Sequence, residues 1–219
     1  MIEQVLFNAP SGNKLPAILN RPADADTLFV LGHGSGSTIH VPLMVALSEA
    51  LACCRIATLR FEYPYSADQN FVPFSDMPVD SDEVLIETVS AALQYGMKNH
   101  PELKALVGGH SISGLVATYA DADIPLQAAG IISIGFPRKG NPARSEHLPN
   151  TSAPMLFVQG TNDALGSESE IKEMIGPLGV RAKMKWIKGA THGFGVEGRE
   201  LSHVANEIAE AVRLFADQI

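Results

Sequence analysis

A serine, an aspartate and a histidine follow three separate apolar segments of this 219-residue chain, and together they could perform nucleophilic catalysis. Ser111 follows the segment "ALVGG", Asp163 follows "MLFVQ", and His192 follows "KMKWIK". A serine hydroxyl becomes a strong nucleophile when a neighbouring imidazole takes its proton. An acid on the other imidazole nitrogen fixes the tautomer of the ring. The three residues therefore predict a Ser–Asp–His catalytic triad.

The glycine-rich segment "GHGSGS" (32–37) follows another apolar segment and could bind the oxyanion that forms in such a reaction. Backbone N–H groups directed at the developing negative charge stabilise the transition state by about 3–4 kcal/mol each. The amide of Ile112, directly after the serine, is expected to be one donor. The amide of Ser35 is expected to be the other donor, with Gly34 beside it.

Each of these residues has a plainer interpretation when it is considered alone. Ser111 could be a helix N-cap, because serine is favoured at that position. The nucleophile motif G-x-S-x-G is also incomplete, since Ser113 replaces its final glycine. Asp163 could belong to a turn, and His192 could be a loop histidine. Their shared position after predicted strands, in this chain order, favours catalysis. A nucleophile on a strained strand-to-helix turn predicts a positive φ at Ser111 and a buried Ser113.

Apolar segments alternate with helical patterns along the chain, which predicts an α/β fold with a mostly parallel sheet of about eight strands. Five continuous apolar segments are typical of strands buried on both faces: 27–31, 56–60, 105–109, 130–134 and 155–159. "KMKWIK" alternates as an edge strand does, and "EQVLFN" with "KLPAILN" predicts a hairpin. Helices are predicted over 40–52, 80–98 and 201–215, the second with a capping box formed by Asp80 and Glu83.

The bulk composition predicts one globular domain, residues 1–219, with 46% hydrophobic and 18% charged residues. The formal net charge of −8 argues against binding to nucleic acid or to an anionic membrane surface. Neither a signal peptide nor a membrane-spanning segment is expected from the sequence. Cys53 and Cys54 are adjacent and lack the spacing of a redox or zinc site, so the expected location is cytoplasmic.

With these residues located, the chain resembles the α/β-hydrolase superfamily over nearly its whole length. Three motifs carry a narrower resemblance, to the small dienelactone-hydrolase-like branch that includes testis-expressed protein thirty and its bacterial relatives: "LGHGSGS" (31–37), "LRFEYPY" (59–65) and the turn at 109–114. The resemblance implies a reduced α/β-hydrolase fold without a cap domain, in which Ser111, Asp163 and His192 form the triad. Dienelactone hydrolases proper use a cysteine nucleophile, whereas this chain has a serine at that position.

We therefore expect a serine hydrolase, carboxylesterase- or thioesterase-like (EC 3.1), that cleaves small-molecule esters or thioesters through an acyl-enzyme. No cofactor, metal, nucleic-acid or membrane partner is expected, and the protein is expected to be a monomer or homodimer. Aromatic residues after strand ends are expected to line the substrate pocket: Tyr63, Tyr65, Phe71, Phe74, Phe136 and Phe194. The alternative is a non-catalytic interaction module in a protein complex, which an exposed patch at "FVPF" (71–74) or an occluded Ser111 would favour.

Overall fold

The computed structural model describes residues 1–9, 12–67 and 79–219, which form an eight-stranded sheet in the order β1-β2-β4-β3-β5-β6-β7-β8. The strands are β1 (Ile2–Asn8), β2 (Lys14–Asn20), β3 (Thr27–Gly32), β4 (Ile56–Phe61), β5 (Lys104–His110), β6 (Gly130–Ile134), β7 (Met155–Gly160) and β8 (Ala182–Ile187). The hairpin β1-β2 and the pair β2-β4 are antiparallel, and the remaining pairs are parallel. This sheet confirms the predicted fold class.

Helices cover both faces of the sheet and account for the continuous apolar strand segments. They are α1 (Pro42–Cys53), α2 (Pro64–Ala67), α3 (Asp82–Asn99), α4 (Ile112–Asp123), α5 (Glu168–Ile175) and α6 (Leu201–Ala216). One hydrophobic cluster contains Leu93 of α3 and Leu115 of α4, and the other contains Leu47 of α1 and Ile208 of α6. Successive residues of a central strand point into opposite clusters, so both faces of such a strand must be apolar.

The amino-terminal cap of α3 differs from the predicted capping box. Ser81 is the N-cap residue, and its hydroxyl accepts a hydrogen bond from the amide of Val84. The carboxylate of Asp80 accepts instead from the amide of Tyr65, at 3.0 Å. Serine is as good an N-cap as aspartate, so Ser81 can cap α3 while Asp80 binds the first turn of α2.

The segment between β6 and β7 contains two short 3-10 helices, Pro142–Ser145 and Leu148–Asn150, and no inserted domain. Within the described residues, therefore, no cap domain covers the carboxyl ends of the strands. In that same part of the chain, no helix combines the length and the apolar character needed to cross a membrane.

Candidate active site

The three candidate catalytic residues lie at one edge of the sheet. Ser111 directly follows β5, Asp163 lies three residues beyond the end of β7, and His192 lies in the connection after β8. All three strands are parallel, so their carboxyl ends lie at the same edge and bring these side chains together. The order of the strands in the sheet thus brings together residues from three distant parts of the chain.

The side chains of Ser111, His192 and Asp163, hereafter the Ser–His–Asp cluster, form a continuous series of hydrogen bonds. The Nε2 atom of His192 lies 2.9 Å from Oγ of Ser111. The Nδ1 atom of His192 lies 2.9 Å and 3.1 Å from the two carboxylate oxygens of Asp163. Because Nδ1 faces a carboxylate, it carries the proton, and Nε2 is left to accept the proton of Ser111. The arrangement can therefore activate a serine nucleophile.

Gln159 holds the carboxylate of Asp163 in place, although it was not among the predicted site residues. Its side-chain amide donates to Asp163 at 2.7 Å, and its oxygen accepts from the amide of Phe136 at 2.8 Å. The amide of Leu165 donates to the same carboxylate at 2.7 Å. Gln159 is fully buried and is the one polar residue in the segment "MLFVQ", which was the available signal in the sequence.

The backbone of Ser111 has the strained conformation predicted for a nucleophile on a strand-to-helix turn. Its φ is 53° and its ψ is −115°, outside the regions that residues other than glycine usually occupy. Ser111 precedes α4, but its side chain does not cap the helix. Ser111 occupies the N-cap position, but its hydroxyl is hydrogen-bonded to His192 and not to the helix.

Ser113 occupies the position of the missing motif glycine and is fully buried, as predicted. Its hydroxyl donates to the carbonyl of His33 at 2.5 Å and accepts from the hydroxyl of Tyr63 at 2.8 Å. A Cβ atom at Gly32 would collide with the Ser113 side chain. Gly32 of β3 leaves room for the side chain of Ser113. The start of α4 can therefore pack against the sheet although a serine replaces the usual motif glycine.

The segment that follows β3 passes directly over the nucleophile. A Cβ atom on Gly34 would lie 3.5 Å from Cβ of Ser111 and 2.7 Å from Nδ1 of His110, so only glycine fits there without displacing a neighbour. Ser35 follows it and is half-buried. Ile112 is the first residue of α4, where the amide has no acceptor within the helix. The structure thus brings Gly34, the residue before Ser35, close to Ser111.

Three aromatic residues predicted to line the substrate pocket are core residues instead. Tyr63, Phe136 and Phe194 are all fully buried. The Phe136 ring packs edge-on against Phe157, with ring centres 5.7 Å apart. A position after a strand end does not show whether a ring turns towards the core or towards solvent, and these rings turn towards the core.

The other aromatic predictions have different outcomes. Tyr65 is only 8% exposed and stacks on Tyr63 with ring centres 5.8 Å apart, so it offers almost no surface to a substrate. Phe71 and Phe74 lie outside the described residues, as does the segment "FVPF" that contains them.

His110 contacts the backbone of the candidate base. Its Nε2 atom donates to the carbonyl oxygen of His192 at 2.8 Å, and the two ring centres are 5.0 Å apart. Burial lowers the pKa of His110 to about 4, although its hydrogen bond to the carbonyl of His192 acts in the opposite direction. The ring is therefore neutral near pH 7 and serves as a fixed hydrogen-bond donor to the loop of His192.

His192 is the most exposed member of the Ser–His–Asp cluster. Ser111 is 7% exposed and the side chain of His192 is 21% exposed. A groove of about 450 Å³ lies between α3 and the carboxyl-terminal end of α4, and a second, of about 400 Å³, lies beside the β1-β2 hairpin. Neither groove is lined by a residue of the cluster. Across the described ranges, no group of three or more His, Cys, Asp or Glu side chains is arranged to hold a metal ion.

Comparison with known proteins gives one family match and many similar folds. The model of a family described as an alpha/beta hydrolase domain matches residues 25–219, which include the whole Ser–His–Asp cluster. A dienelactone hydrolase from Anabaena variabilis is 22% identical, with a TM-score of 0.79 over 96% of this chain and 95% of that one.

Two further solved structures have the same architecture. A serine hydrolase without a lid from Xanthomonas campestris is 17% identical, with a TM-score of 0.75 over 98% of this chain and 94% of that one. The esterase domain of a Rhodothermus marinus protein is 16% identical, with a TM-score of 0.72 over 100% and 99%. At these identities the likeness shows a shared fold.

Proposed function

The chain belongs to the alpha/beta hydrolase domain family, and we propose that it is a serine hydrolase that cleaves carboxylic esters or thioesters of small molecules. The observation that carries this proposal is the unbroken hydrogen-bond series from Ser111 through His192 to Asp163. A serine that only caps a helix would not need a positive φ or an imidazole acceptor for its hydroxyl.

In the proposed first half-reaction, Oγ of Ser111 attacks the acyl carbon while Nε2 of His192 takes its proton. The carbonyl oxygen becomes an oxyanion, which the amides of Ser35 and Ile112 stabilise by hydrogen bonds. The tetrahedral intermediate then expels the alcohol or thiol, which leaves with the proton from His192. The acyl group remains on Ser111, and Asp163 stabilises the imidazolium during both transfers.

In the second half-reaction, water attacks the acyl-enzyme and gives a proton to Nε2 of His192. The second tetrahedral intermediate collapses, the proton returns to Oγ of Ser111, and the carboxylic acid is released. Both steps use groups that the chain itself provides, in the arrangement described above. The proposed reaction therefore consumes one ester or thioester and one water, and yields one acid and one alcohol or thiol.

The proposed substrate class has two supports. The segment between β6 and β7 adds no cap domain, which favours a site that admits acyl groups of different size. One protein of the same fold is described as a dienelactone hydrolase and another as an esterase domain. Small esters with a good leaving group are therefore suitable first substrates.

A fluorophosphonate probe tests the proposal, because it reacts with activated serines. We expect labelling of the wild type and of Ser90→Ala, a control whose serine lies on α3 and bonds its own helix. Labelling should be lost in Ser111→Ala, together with hydrolysis of p-nitrophenyl esters of increasing chain length. A folded wild type that neither reacts with the probe nor hydrolyses any of these esters would reject the hydrolase proposal in favour of the interaction module.

A further inference from the structure

The motif "RFEYPY" (60–65) contributes no reacting group to the proposed mechanism, yet its polar side chains lie against the segment 33–39. Nη1 of Arg60 donates to the carbonyl of Ile39 at 2.7 Å. The carboxylate of Glu62 accepts from the amide of Ile39 at 3.1 Å. Both charged residues are buried, with 6% and 4% of their surface exposed. They hold the peptide groups on both sides of Ile39, where the segment after β3 ends.

Glu62 also holds His33 at the beginning of this segment. Its second carboxylate oxygen accepts from the Ser66 hydroxyl at 2.6 Å and lies 3.0 Å from Nε2 of His33. Burial alone would raise the pKa of Glu62, but its hydrogen bonds to His33, Ser66 and the Ile39 amide, together with the charge of His33, lower it. The carboxylate is therefore ionised at neutral pH.

The other side of His33 faces the peptide bond between Gly34 and Ser35. The carbonyl oxygen of Gly34 lies 2.9 Å from Nδ1 of His33, 3.2 Å from the hydroxyl of Tyr65 and 3.1 Å from the amide of Ser37. A carbonyl can only accept, so all three groups are directed at it as donors. This peptide group is thus fixed by more bonds than a surface loop normally makes.

Fixing that carbonyl also fixes the amide on the same peptide bond. No described peptide bond is cis, and in a planar trans peptide the C=O and N–H bonds point in opposite directions. The carbonyl of Gly34 points towards His33 and Tyr65, so the N–H of Ser35 points away from them. Gly34 lies against Ser111, because a Cβ atom added at Gly34 would be 3.5 Å from Cβ of Ser111.

We propose that Arg60, Glu62, Tyr65 and His33 form a clamp that orients the amide of Ser35 for the oxyanion of the reaction. These are positioning residues, because they touch the segment 33–39 and not the reacting atoms. The role assigned to the clamp depends on the proposed hydrolase function. Buried polar groups of this kind favour one arrangement strongly, because any other leaves them without partners. The motif that carries the family resemblance therefore serves to build one half of the oxyanion hole.

Amide hydrogen exchange tests whether the clamp exists, independently of catalysis. In Glu62→Gln, an NH₂ group replaces one of the two oxygens that accept from the Ile39 amide and the Ser66 hydroxyl, and in Tyr65→Phe the hydroxyl that donates to the Gly34 carbonyl is lost. We expect amides within 33–40 to exchange at least about tenfold faster in both variants, with those near Ser111 and His192 unchanged. Matched controls are Glu207→Gln, which removes ion pairs with Lys185 and Arg199, and Tyr95→Phe on α3.

Kinetics then test what the clamp does. We expect both clamp variants to lose about 10- to 100-fold in kcat for a p-nitrophenyl ester, with KM changed less than about twofold. The inhibition constant of an alkyl boronic acid, which forms a tetrahedral adduct on the serine, should rise by the same factor. Loss of a residue that only supports the fold would not lower kcat and raise the inhibition constant by the same factor. The control variants should retain wild-type kcat and inhibition.

Each outcome of the two experiments decides a separate point. Unchanged exchange over 33–40 would overturn the clamp itself. Faster exchange with kcat retained would overturn its role in orienting the oxyanion hole. A wild type that is inert towards the fluorophosphonate probe would reject the hydrolase function, while the exchange rates would still support or overturn the clamp on the segment.

Discussion

His192 and Ser111 are 81 positions apart in the chain, yet Nε2 of one lies 2.9 Å from Oγ of the other. This contact depends on two backbone features, the positive φ of Ser111 and the bond from His110 to the carbonyl of His192. The first raises the hydroxyl above the end of β5, and the second fixes the loop that carries the imidazole. The proposed nucleophile and base are thus held together before any substrate binds, and the groups that hold them can be tested separately.

The acid of the proposed triad is tested by Asp163→Asn. We expect kcat to fall by about 10³- to 10⁴-fold while the fold persists, because an amide no longer favours the tautomer that leaves Nε2 free to accept. The measurement is ester turnover, with unfolding in urea as a check on the fold. Asp121→Asn is the control, since Asp121 is an equally buried aspartate that binds the backbone of Ser152 and Ala153. Undiminished turnover in Asp163→Asn would leave Glu168 as the next acid to examine.

Gln159→Leu tests the support of that acid. The substitution removes the donor to Asp163 and leaves the buried amide of Phe136 without its acceptor. We expect about 1–3 kcal/mol lower free energy of unfolding and a several-fold lower kcat, because a buried unpaired donor is costly and the carboxylate becomes less well fixed. A variant as stable and as active as the wild type would show that the two bonds have no energetic weight.

Ser113→Gly restores the usual nucleophile motif, and we expect it to be harmful. The substitution leaves the carbonyl of His33 and the hydroxyl of Tyr63 without their shared partner, so stability should fall by about 1–3 kcal/mol. Adding Tyr63→Phe should recover part of the loss, which a double-mutant cycle in urea measures. If Ser113→Gly is as stable as the wild type, the serine is only a tolerated replacement.

Most strands and the main helices could be predicted from the sequence because their signals are local. Continuous apolar segments indicate strands buried on both faces, and the positions of Ser111, Asp163 and His192 after such strands place them at one edge. What could not be predicted depends on contacts between distant segments. The inward turn of the Phe136 ring and the choice of Ser81 as a cap depend on neighbours from other parts of the fold.

The clamp around Gly34 also depends on contacts between distant segments, so it could not be predicted from the sequence. Arg60 and Glu62 lie at the end of a strand, where charged side chains are usually solvated. Here both are buried, because the segment 33–39 packs against them. The motif could be recognised as distinctive from its sequence, but its role required the partners of each side chain.

Stability towards acid should depend on buried histidines. Burial lowers the pKa of His147 from its ordinary value of 6.5 to about 4. Its Nε2 atom lies 2.8 Å from the hydroxyl of Thr118, and its Nδ1 atom is buried without a partner in the described structure. Between about pH 6.5 and pH 4 the unfolded chain binds a proton at this residue that the folded chain does not bind. The free energy of unfolding therefore falls as the pH falls through this window.

His110, whose pKa is also lowered to about 4, adds to the loss over the same range. Glu62 acts at lower pH, because a carboxyl whose pKa is lowered on folding loses its stabilising effect only as it becomes protonated.

We expect His147→Gln, which keeps a donor for Thr118, to show a shallower decline in stability between about pH 7 and pH 4.5 than the wild type. The difference cannot exceed about 1.4 kcal/mol per pH unit, and partial exposure of the ring should make it smaller. Urea unfolding across this range measures it, with the exposed His203→Gln as control. Equal slopes for His147→Gln and the wild type would mean that His147 is protonated in the folded chain as readily as in the unfolded one.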